Sequence, residues 1–291
     1  MLAELFLQSA LTFLAREVPR WERENHCYSC HNNGDAARAL YVGRQLGYAV
    51  PNDALSGTTE WLLAPARWDE IHGAPAASDK KLGRIQFTAA LAEAVRTGAV
   101  KETAALDSAA GALVRLQSAD GSWKVDTGGL PGAPATYGTA LATYLSRRSL
   151  EAHKRSQFAD AIGRASRWLA NAKPESTVDA AALLLAQPER ADCREYLLKS
   201  QTSDGGWGAQ PKMPAEAFDT AMALLALKGE GPAAARGRAL LIKMQESDGG
   251  WPETTRPSGS QSYAERISTT GWVVYALLTV ESAAAASQPR R

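Results

Sequence analysis

The sequence predicts an all-α protein made of six helical hairpins, and three observations lead to this prediction. A tryptophan-containing turn recurs along the chain, each turn separates two segments with helical periodicity, and the second segment is richer in small and apolar residues than the first. Repeats of roughly 40–47 residues are typical of helical hairpins that stack to bury a continuous core. We therefore expect residues 1–291 to form a single domain.

The recurring turn is clearest in three segments that carry glutamine, aspartate-glycine and tryptophan at fixed positions. These segments are residues 117–123, 201–207 and 245–251. Their tryptophans are separated by 207 − 123 = 84 and 251 − 207 = 44 residues, so the first interval is close to twice the second. A degenerate repeat is therefore expected in the first interval, where Lys173-Pro-Glu-Ser takes the place of the glycine-rich turn.

Six turns follow when this spacing is extended upstream. They are expected near residues 27–34, 72–84, 120–135, 173–177, 204–216 and 248–267. Each turn is followed by a run such as Asp219-Thr-Ala-Met-Ala-Leu, which is richer in apolar residues than the helix before the turn. A helix that is apolar on all sides is buried, whereas a helix with one apolar stripe faces solvent. The second helices are thus predicted to form an inner ring and the first helices an outer ring.

The Gln-x-x-Asp-Gly-x-Trp segments resemble the QW repeats of squalene-hopene cyclases and their terpenoid-cyclase relatives. The Asp-Gly-Gly-Trp turns that end at Trp207 and Trp251 are also similar to turns in protein prenyltransferase β-subunits. This resemblance covers nearly the whole chain as architecture. It implies an (α/α)6 toroid whose inner-helix N-termini surround the mouth of a central cavity. We expect Trp123, Trp207 and Trp251 to pin turns against neighbouring helices rather than to contact a ligand.

Composition and charge argue against several classes of function. Lys+Arg of 32 against Asp+Glu of 31 leaves a formal net charge of +1, so no global field attracts nucleic acid. No apolar stretch reaches the roughly 18 residues of a membrane span. The N-terminal segment lacks the basic region and cleavage site of a signal peptide and is expected to be the first helix. Residues 282–291 are predicted to be a disordered tail.

The first turn, residues 27–34, contains Cys27-Tyr-Ser-Cys-His31, which matches the attachment sequence of c-type haem. Two thiols spaced i and i+3 on a helical turn lie on one side, and the following imidazole can reach the iron. Cys27, Cys30 and His31 are therefore predicted to hold haem c. Candidate second axial ligands are His72, in the adjacent turn, and as an alternative Met213, in the fifth turn.

Other interpretations of the cysteine pair stay open. Zinc is the alternative cofactor, because related toroids bind it, and Cys30-His31 is similar to the adjacent Cys-His of lanthionine synthetase cyclases. The pair could also be a redox couple or structurally inert. Covalent haem requires export, so the haem interpretation predicts a periplasmic or exported protein, and without haem a cytoplasmic one is expected.

Carboxylates near the starts of the inner helices are the candidate catalytic residues. The resemblance to class II terpene cyclases implies an Asp-x-Asp-Asp-Thr motif, but the matching stretch is Glu216-Ala-Phe-Asp-Thr220, with Phe218 where the acid would lie, so protonation by that motif is not predicted. Asp219 and its repeat equivalents Asp179 and Asp35 remain. An aspartate in a first turn favours helix capping, and a cavity-lining role is the alternative.

These patterns favour a toroid that carries haem c at the mouth of its cavity, binds an apolar small molecule or lipid of isoprenoid or quinone-like type, and has a redox role with a partner protein. One alternative is an isoprenoid cyclase or prenyltransferase-like enzyme, with or without zinc. Another is a non-catalytic repeat scaffold. The long sixth turn, residues 252–266, is the candidate lid.

Overall fold

A computed structural model describes residues 2–70, 80–152, 156–259 and 261–287, which contain helices and turns but no β-strand. The outer helices are α1 (Leu2–Glu17), α4 (Ser56–Leu62), α6 (Ala104–Leu116), α8 (Ala159–Asn171), α10 (Ala191–Ser200) and α12 (Gly231–Met244). The inner helices are α3 (Ala37–Gln45), α5 (Lys80–Arg96), α7 (Thr139–Glu151), α9 (Thr177–Ala186), α11 (Ala217–Ala226) and α13 (Tyr263–Ser287). A short helix α2 (Arg20–Asn25) and a π-helix (Cys30–Ala36) precede α3.

The inner helices form a closed ring. Each contacts the next in chain order, from α3 through α5, α7, α9 and α11 to α13, and α13 packs back onto α3 and the π-helix. Every residue of α11 is buried, whereas only Ala234, Gly237 and Leu241 are buried in the outer helix α12. The predicted toroid of six hairpins, with an inner and an outer ring, is confirmed.

The tryptophan turns hold the repeats together in the predicted way. Each indole is fully buried, and its Nε1 donates to a carbonyl ten residues earlier in the outer helix, Leu113, Leu197 or Leu241, at 2.7–2.8 Å. Each turn glutamine donates to a carbonyl of the next outer helix. The last of these bonds runs from Gln245 to Phe6 and joins the sixth hairpin to the first.

Glycine is required where these turns touch the next outer helix. Gly249 has a φ of +93°, and a Cβ built there would lie 2.6 Å from the carbonyl oxygen of Ser9. An L side chain would therefore meet both backbone strain and a steric clash. The Asp-Gly pair of the repeat is thus a packing requirement of the ring.

The C-terminal helix is longer than expected. Helix α13 continues to Ser287, where the alanine-rich end has high helix propensity, and disorder of residues 282–291 stays a prediction. Residues 288–291 lie outside the described residues. No described helix is long and apolar enough to cross a bilayer.

Candidate active site at the axis of the ring

The first turn places a polar segment at the N-terminal end of the first inner helix. Ser29 caps the π-helix, its hydroxyl accepting from the backbone amides of His31 (3.2 Å) and Asn32 (3.4 Å). Gly34 allows the π-helix to approach α5, since a Cβ there would lie 3.0 Å from that of Gln86. The π-helix, a form often found at functional sites, turns Asp35 into the ring.

Asp35 receives hydrogen bonds from three other inner segments. Gln86 Nε2 of α5 donates to Oδ2 over 2.9 Å, and Ser268 Oγ of α13 donates to the same oxygen over 2.7 Å. The hydroxyl of Tyr137, just before α7, donates to Oδ1. Because α3 and α7 are not neighbours in the ring, the bond to Tyr137 crosses its interior. Asp35 therefore lies at the ring axis.

Burial sets the acidity of this carboxyl. Asp35 is 2% exposed, and burial raises its pKa from 3.8 to about 6, while hydrogen bonds and the charge of Arg38 oppose the rise. A raised pKa keeps the acid protonated under mildly acidic conditions. The donors Tyr137, Gln86 and Ser268 stabilise the carboxylate that remains once the proton has left. The site can therefore hold a proton and release it.

Aromatic side chains surround the axis beside Asp35. Tyr137, Phe218 and Tyr275 pack edge-on against Trp272, with ring centroids 5.8, 5.9 and 6.2 Å apart. The guanidinium of Arg38 lies 4.5 Å from the Trp272 ring centre and 4.3 Å from that of Tyr275. Ring faces attract cations, and the two faces measured here are those that Arg38 already occupies.

Two buried polar atoms next to Asp35 have no described hydrogen-bond partner. They are Gln86 Oε1 and Trp272 Nε1. Buried polar groups normally find a partner, so unsatisfied atoms at a site suggest a ligand or water.

A hydroxyl connects Asp35 to the imidazole of the Cys-x-x-Cys-His segment. Ser268 Oγ lies 2.9 Å from His31 Nδ1, and burial lowers the pKa of His31 to about 4, so the ring is neutral at pH 7. When Ser268 donates its only proton to an ionised Asp35, His31 must carry its own proton on Nδ1. The lone pair of Nε2 is then free. When Asp35 is protonated, it can donate to Ser268 Oγ, and Ser268 can then donate to His31 Nδ1. In this Asp35–Ser268–His31 relay, the proton of the neutral imidazole then lies on Nε2.

The two cysteines lie at the same hairpin tip. Both thiols are partly buried, and the Trp21 indole donates to Cys27 Sγ at 3.3 Å. A histidine that ligates a metal ordinarily bonds through its second nitrogen to a fixed partner, the role that Ser268 has here. Cys27, Cys30 and His31 thus fit the donor chemistry of attached haem. Across the described residues, no group of three or more His, Cys, Asp or Glu side chains is arranged for a metal ion.

Helix α9 is capped by Ser176, which bonds to Asp179 in the first turn. The Ser176 hydroxyl donates to Asp179 Oδ2 (2.7 Å) and accepts from the backbone amide of Asp179 (3.1 Å). This reciprocal arrangement fixes the start of α9.

Asp219 lies in an ion-pair cluster with the sixth turn. Arg256 Nη2 contacts Asp219 Oδ2 at 2.6 Å and Glu216 Oε2 at 3.1 Å, and Asp219 is fully buried. Burial, followed by the charge of Asp219, raises the pKa of Glu216 to about 7. The predicted lid is therefore anchored to α11 in this structure.

The two candidates for a second axial haem ligand are His72 and Met213. His72 lies outside the described residues, and Met213 is 43% exposed in the fifth turn. Because α13 lies between α11 and α3 in the ring, the sixth hairpin separates Met213 from His31.

Five residues of the axial site were missed by reasoning from the sequence: Arg38, Gln86, Tyr137, Ser268 and Trp272. A charged or amide side chain inside an otherwise apolar inner run was the available signal for Arg38 and Gln86. Tyr137 and Ser268 carry no local signal, because only the closed ring brings them to Asp35.

Sequence comparison finds no match to a protein-family model and none among curated proteins. Structure comparison finds the same fold. A variant of type II terpene cyclase MstE from Scytonema, in complex with the substrate geranylgeranyl dihydroxybenzoate, has a TM-score of 0.59 and 12% identity, covering 97% of this chain and 99% of that one. A glycosidase variant has a TM-score of 0.60 and 11% identity over 96% of this chain and 99% of that one.

A second glycosidase variant, in complex with glucose, has a TM-score of 0.59 with 11% identity over 96% and 98% of the two chains. The chain therefore has a terpene cyclase-like α/α toroid fold. Identities this low show the fold alone, so activity has to be argued from the site.

Proposed function

We propose that this protein binds an isoprenoid at the ring axis and starts its cyclisation by proton transfer from Asp35. The proposal rests on one observation, a buried carboxyl of raised pKa held by three neutral donors beside an aromatic cluster. The fold shared with a terpene cyclase that binds a geranylgeranyl substrate supports it.

The proposed step balances without an oxidant or a second substrate. The π electrons of a terminal alkene form a C–H bond with the Asp35 proton, and the O–H bonding pair stays on the carboxylate. The resulting carbocation faces the ring of Phe218, which favours positive charge. After ring closure, the cyclised cation loses a proton and the carboxyl is restored, so the net reaction is an isomerisation.

Neutral donors suit this chemistry better than a charged partner would. A guanidinium bonded directly to Asp35 would hold it ionised, whereas Tyr137, Gln86 and Ser268 stabilise the anion only after the proton has left. Interactions stronger in the transition state than in the ground state are the ones that accelerate a reaction.

The test compares Asp35→Asn with Asp179→Asn. Geranylgeranyl dihydroxybenzoate and squalene serve as probe substrates, with cyclised products detected by mass spectrometry. We expect Asp35→Asn to lower turnover about 10²- to 10⁴-fold, the usual range for loss of a general acid, and Asp179→Asn to change it little. Equal activity in wild type and Asp35→Asn would overturn the assignment.

We propose haem c as a second candidate, favoured by the bond between His31 Nδ1 and Ser268, which leaves Nε2 available. Cys27 and Cys30 would form the thioethers and His31 would ligate iron, supplying electron transfer with a redox partner protein. Attachment would require an exported protein. Intact mass after periplasmic expression with maturation machinery tests it: a gain of one haem, absent in Cys27→Ala/Cys30→Ala, supports it, and an unmodified mass contradicts it.

A further inference from the structure

A basic cleft opens toward the C-terminal ends of the inner helices, away from the first turn. It has a volume of about 280 Å³ and lies between the ends of α5 and α7, and its charged lining residues are Arg38, Glu93, Arg96, Arg148 and Glu151. Drug-sized ligands usually occupy about 300–1,000 Å³, so this cleft suits a small group rather than a whole lipid.

The cleft holds more positive than negative charge. Glu93 Oε1 accepts from Arg96 Nε at 2.7 Å, and Glu93 Oε2 lies 3.5 Å from Arg148 Nη2. One carboxylate thus serves two guanidiniums. Glu151 pairs instead with Arg147, at 3.2 Å.

Arg38 carries the third guanidinium of the cleft. No described hydrogen bond joins it to the Glu93 carboxylate. Arg38 is 2% exposed, and its Nε has no described hydrogen-bond partner. Its charge is offset by cation–π contacts with the rings of Trp272 and Tyr275 and, without a described hydrogen bond, by the nearby carboxylates of Asp35 and Glu93. A buried cation without a hydrogen-bonded anion is costly, and no described hydrogen bond gives Arg38 one, so a bound anion would stabilise it.

The charge balance indicates which anion fits. With Glu151 neutralised by Arg147, the cleft residues Arg38, Arg96 and Arg148 carry three positive charges against one on Glu93, leaving an excess of two. A phosphate monoester carries about −1.5 to −2 at pH 7, whereas a carboxylate carries −1. Guanidiniums also match phosphate oxygens in bidentate geometry.

We propose that this cleft is a second binding site, specific for a phosphoryl oxyanion. Arg38 lies between this cleft and the axial acid, but the two sites are otherwise distinct: Glu93 is seven residues beyond Gln86 on α5, about 10 Å along the helix. The oxyanion is either a free phosphate species or the headgroup of a phosphorylated lipid. Neither source depends on Asp35 acting as an acid.

The experiment measures pyrophosphate binding to the full chain by titration calorimetry at fixed ionic strength. We expect Arg148→Gln and Arg96→Gln to weaken binding at least tenfold. The matched control is Arg67→Gln, since Arg67 pairs with Glu70 at the same i,i+3 spacing as Arg96 with Glu93, outside the cleft. It should change affinity less than twofold.

Two outcomes would overturn the proposal: no pyrophosphate binding to wild type, or equal weakening in Arg67→Gln. Binding measurements with farnesyl phosphate and farnesol distinguish the two sources of the oxyanion. Tighter binding of farnesyl phosphate than of pyrophosphate, without competition by farnesol, supports a lipid headgroup, and equal affinities support a free oxyanion. Asp35→Asn should bind pyrophosphate as wild type does, so loss of cyclisation and loss of this site are distinguishable.

Discussion

Asp35 and Asp219 occupy equivalent positions at the starts of inner helices, yet their surroundings differ. Asp35 is bonded by the neutral groups of Tyr137, Gln86 and Ser268, whereas Asp219 is bonded by the guanidinium of Arg256. Both side chains are buried. The repeat thus places a buried carboxylate at the start of an inner helix, and its partners decide whether it is held by neutral donors or in an ion pair.

The largest effect on stability is expected at Asp219. Arg256→Met leaves that buried carboxyl without its cation and should lower the free energy of unfolding by about 3–5 kcal/mol. Urea denaturation measures it. The double variant Arg256→Met/Asp219→Asn should recover part of the loss, and a loss below about 1 kcal/mol in the single variant would mean that the ion pair does not anchor the sixth turn.

The next largest effect is expected in the pH dependence of stability, through Asp35. The folded pKa of Asp35 is raised, so the protein binds this proton more tightly than the unfolded chain, and stability falls as pH rises from 3.8 to about 6. The difference corresponds to about 3 kcal/mol. Asp35→Asn should therefore gain stability relative to wild type across this interval, measured by denaturation at pH 4 and pH 7. A constant difference would contradict the raised pKa.

Tyr137→Phe should have a smaller effect. It removes a donor to the Asp35 carboxylate, so the pKa of Asp35 should rise above about 6, and the free energy of unfolding should fall by about 1–3 kcal/mol at pH 7. Carboxyl titration by infrared or ¹³C NMR spectroscopy measures the pKa. Tyr144→Phe is the control, since Tyr144 is a buried tyrosine of α7 with no described bond to Asp35. An unchanged pKa in Tyr137→Phe would refute the role of Tyr137.

The smallest expected effect is on the His31 tautomer. Ser268→Ala breaks the relay to Asp35, so the balance between Nδ1–H and Nε2–H should no longer change as Asp35 titrates. Stability should change by about 1 kcal/mol. ¹⁵N chemical shifts of the imidazole measure the tautomer between pH 5 and pH 8. A wild-type balance that does not respond to Asp35→Asn would show that the two groups are not coupled.

The sequence was sufficient to predict the ring of hairpins, but it predicted only part of the site at the ring axis. The Gln-x-x-Asp-Gly-x-Trp turns could be predicted because their bonds are local: Gln117 reaches Gly121, and Trp123 reaches Leu113. The partners of Asp35 lie 51, 102 and 233 residues away in sequence. Only closure of the ring of six hairpins brings those groups together, so no short sequence motif could predict these contacts.

The same contrast explains the two carboxylates. Asp35 and Asp219 look alike in their local sequence, since each opens a run of small and apolar residues. Arg256 comes from a long turn with no repeat equivalent, so its pairing with Asp219 could not be predicted.

The most direct measurement of the proposed cyclisation is isotope incorporation by the wild-type protein. Cyclisation started by the Asp35 proton in D₂O should place one deuterium in each product molecule, at the carbon that was the terminal alkene. Asp35→Asn should form no labelled product under the same conditions. Products without deuterium, or labelled products formed equally by Asp35→Asn, would contradict the account.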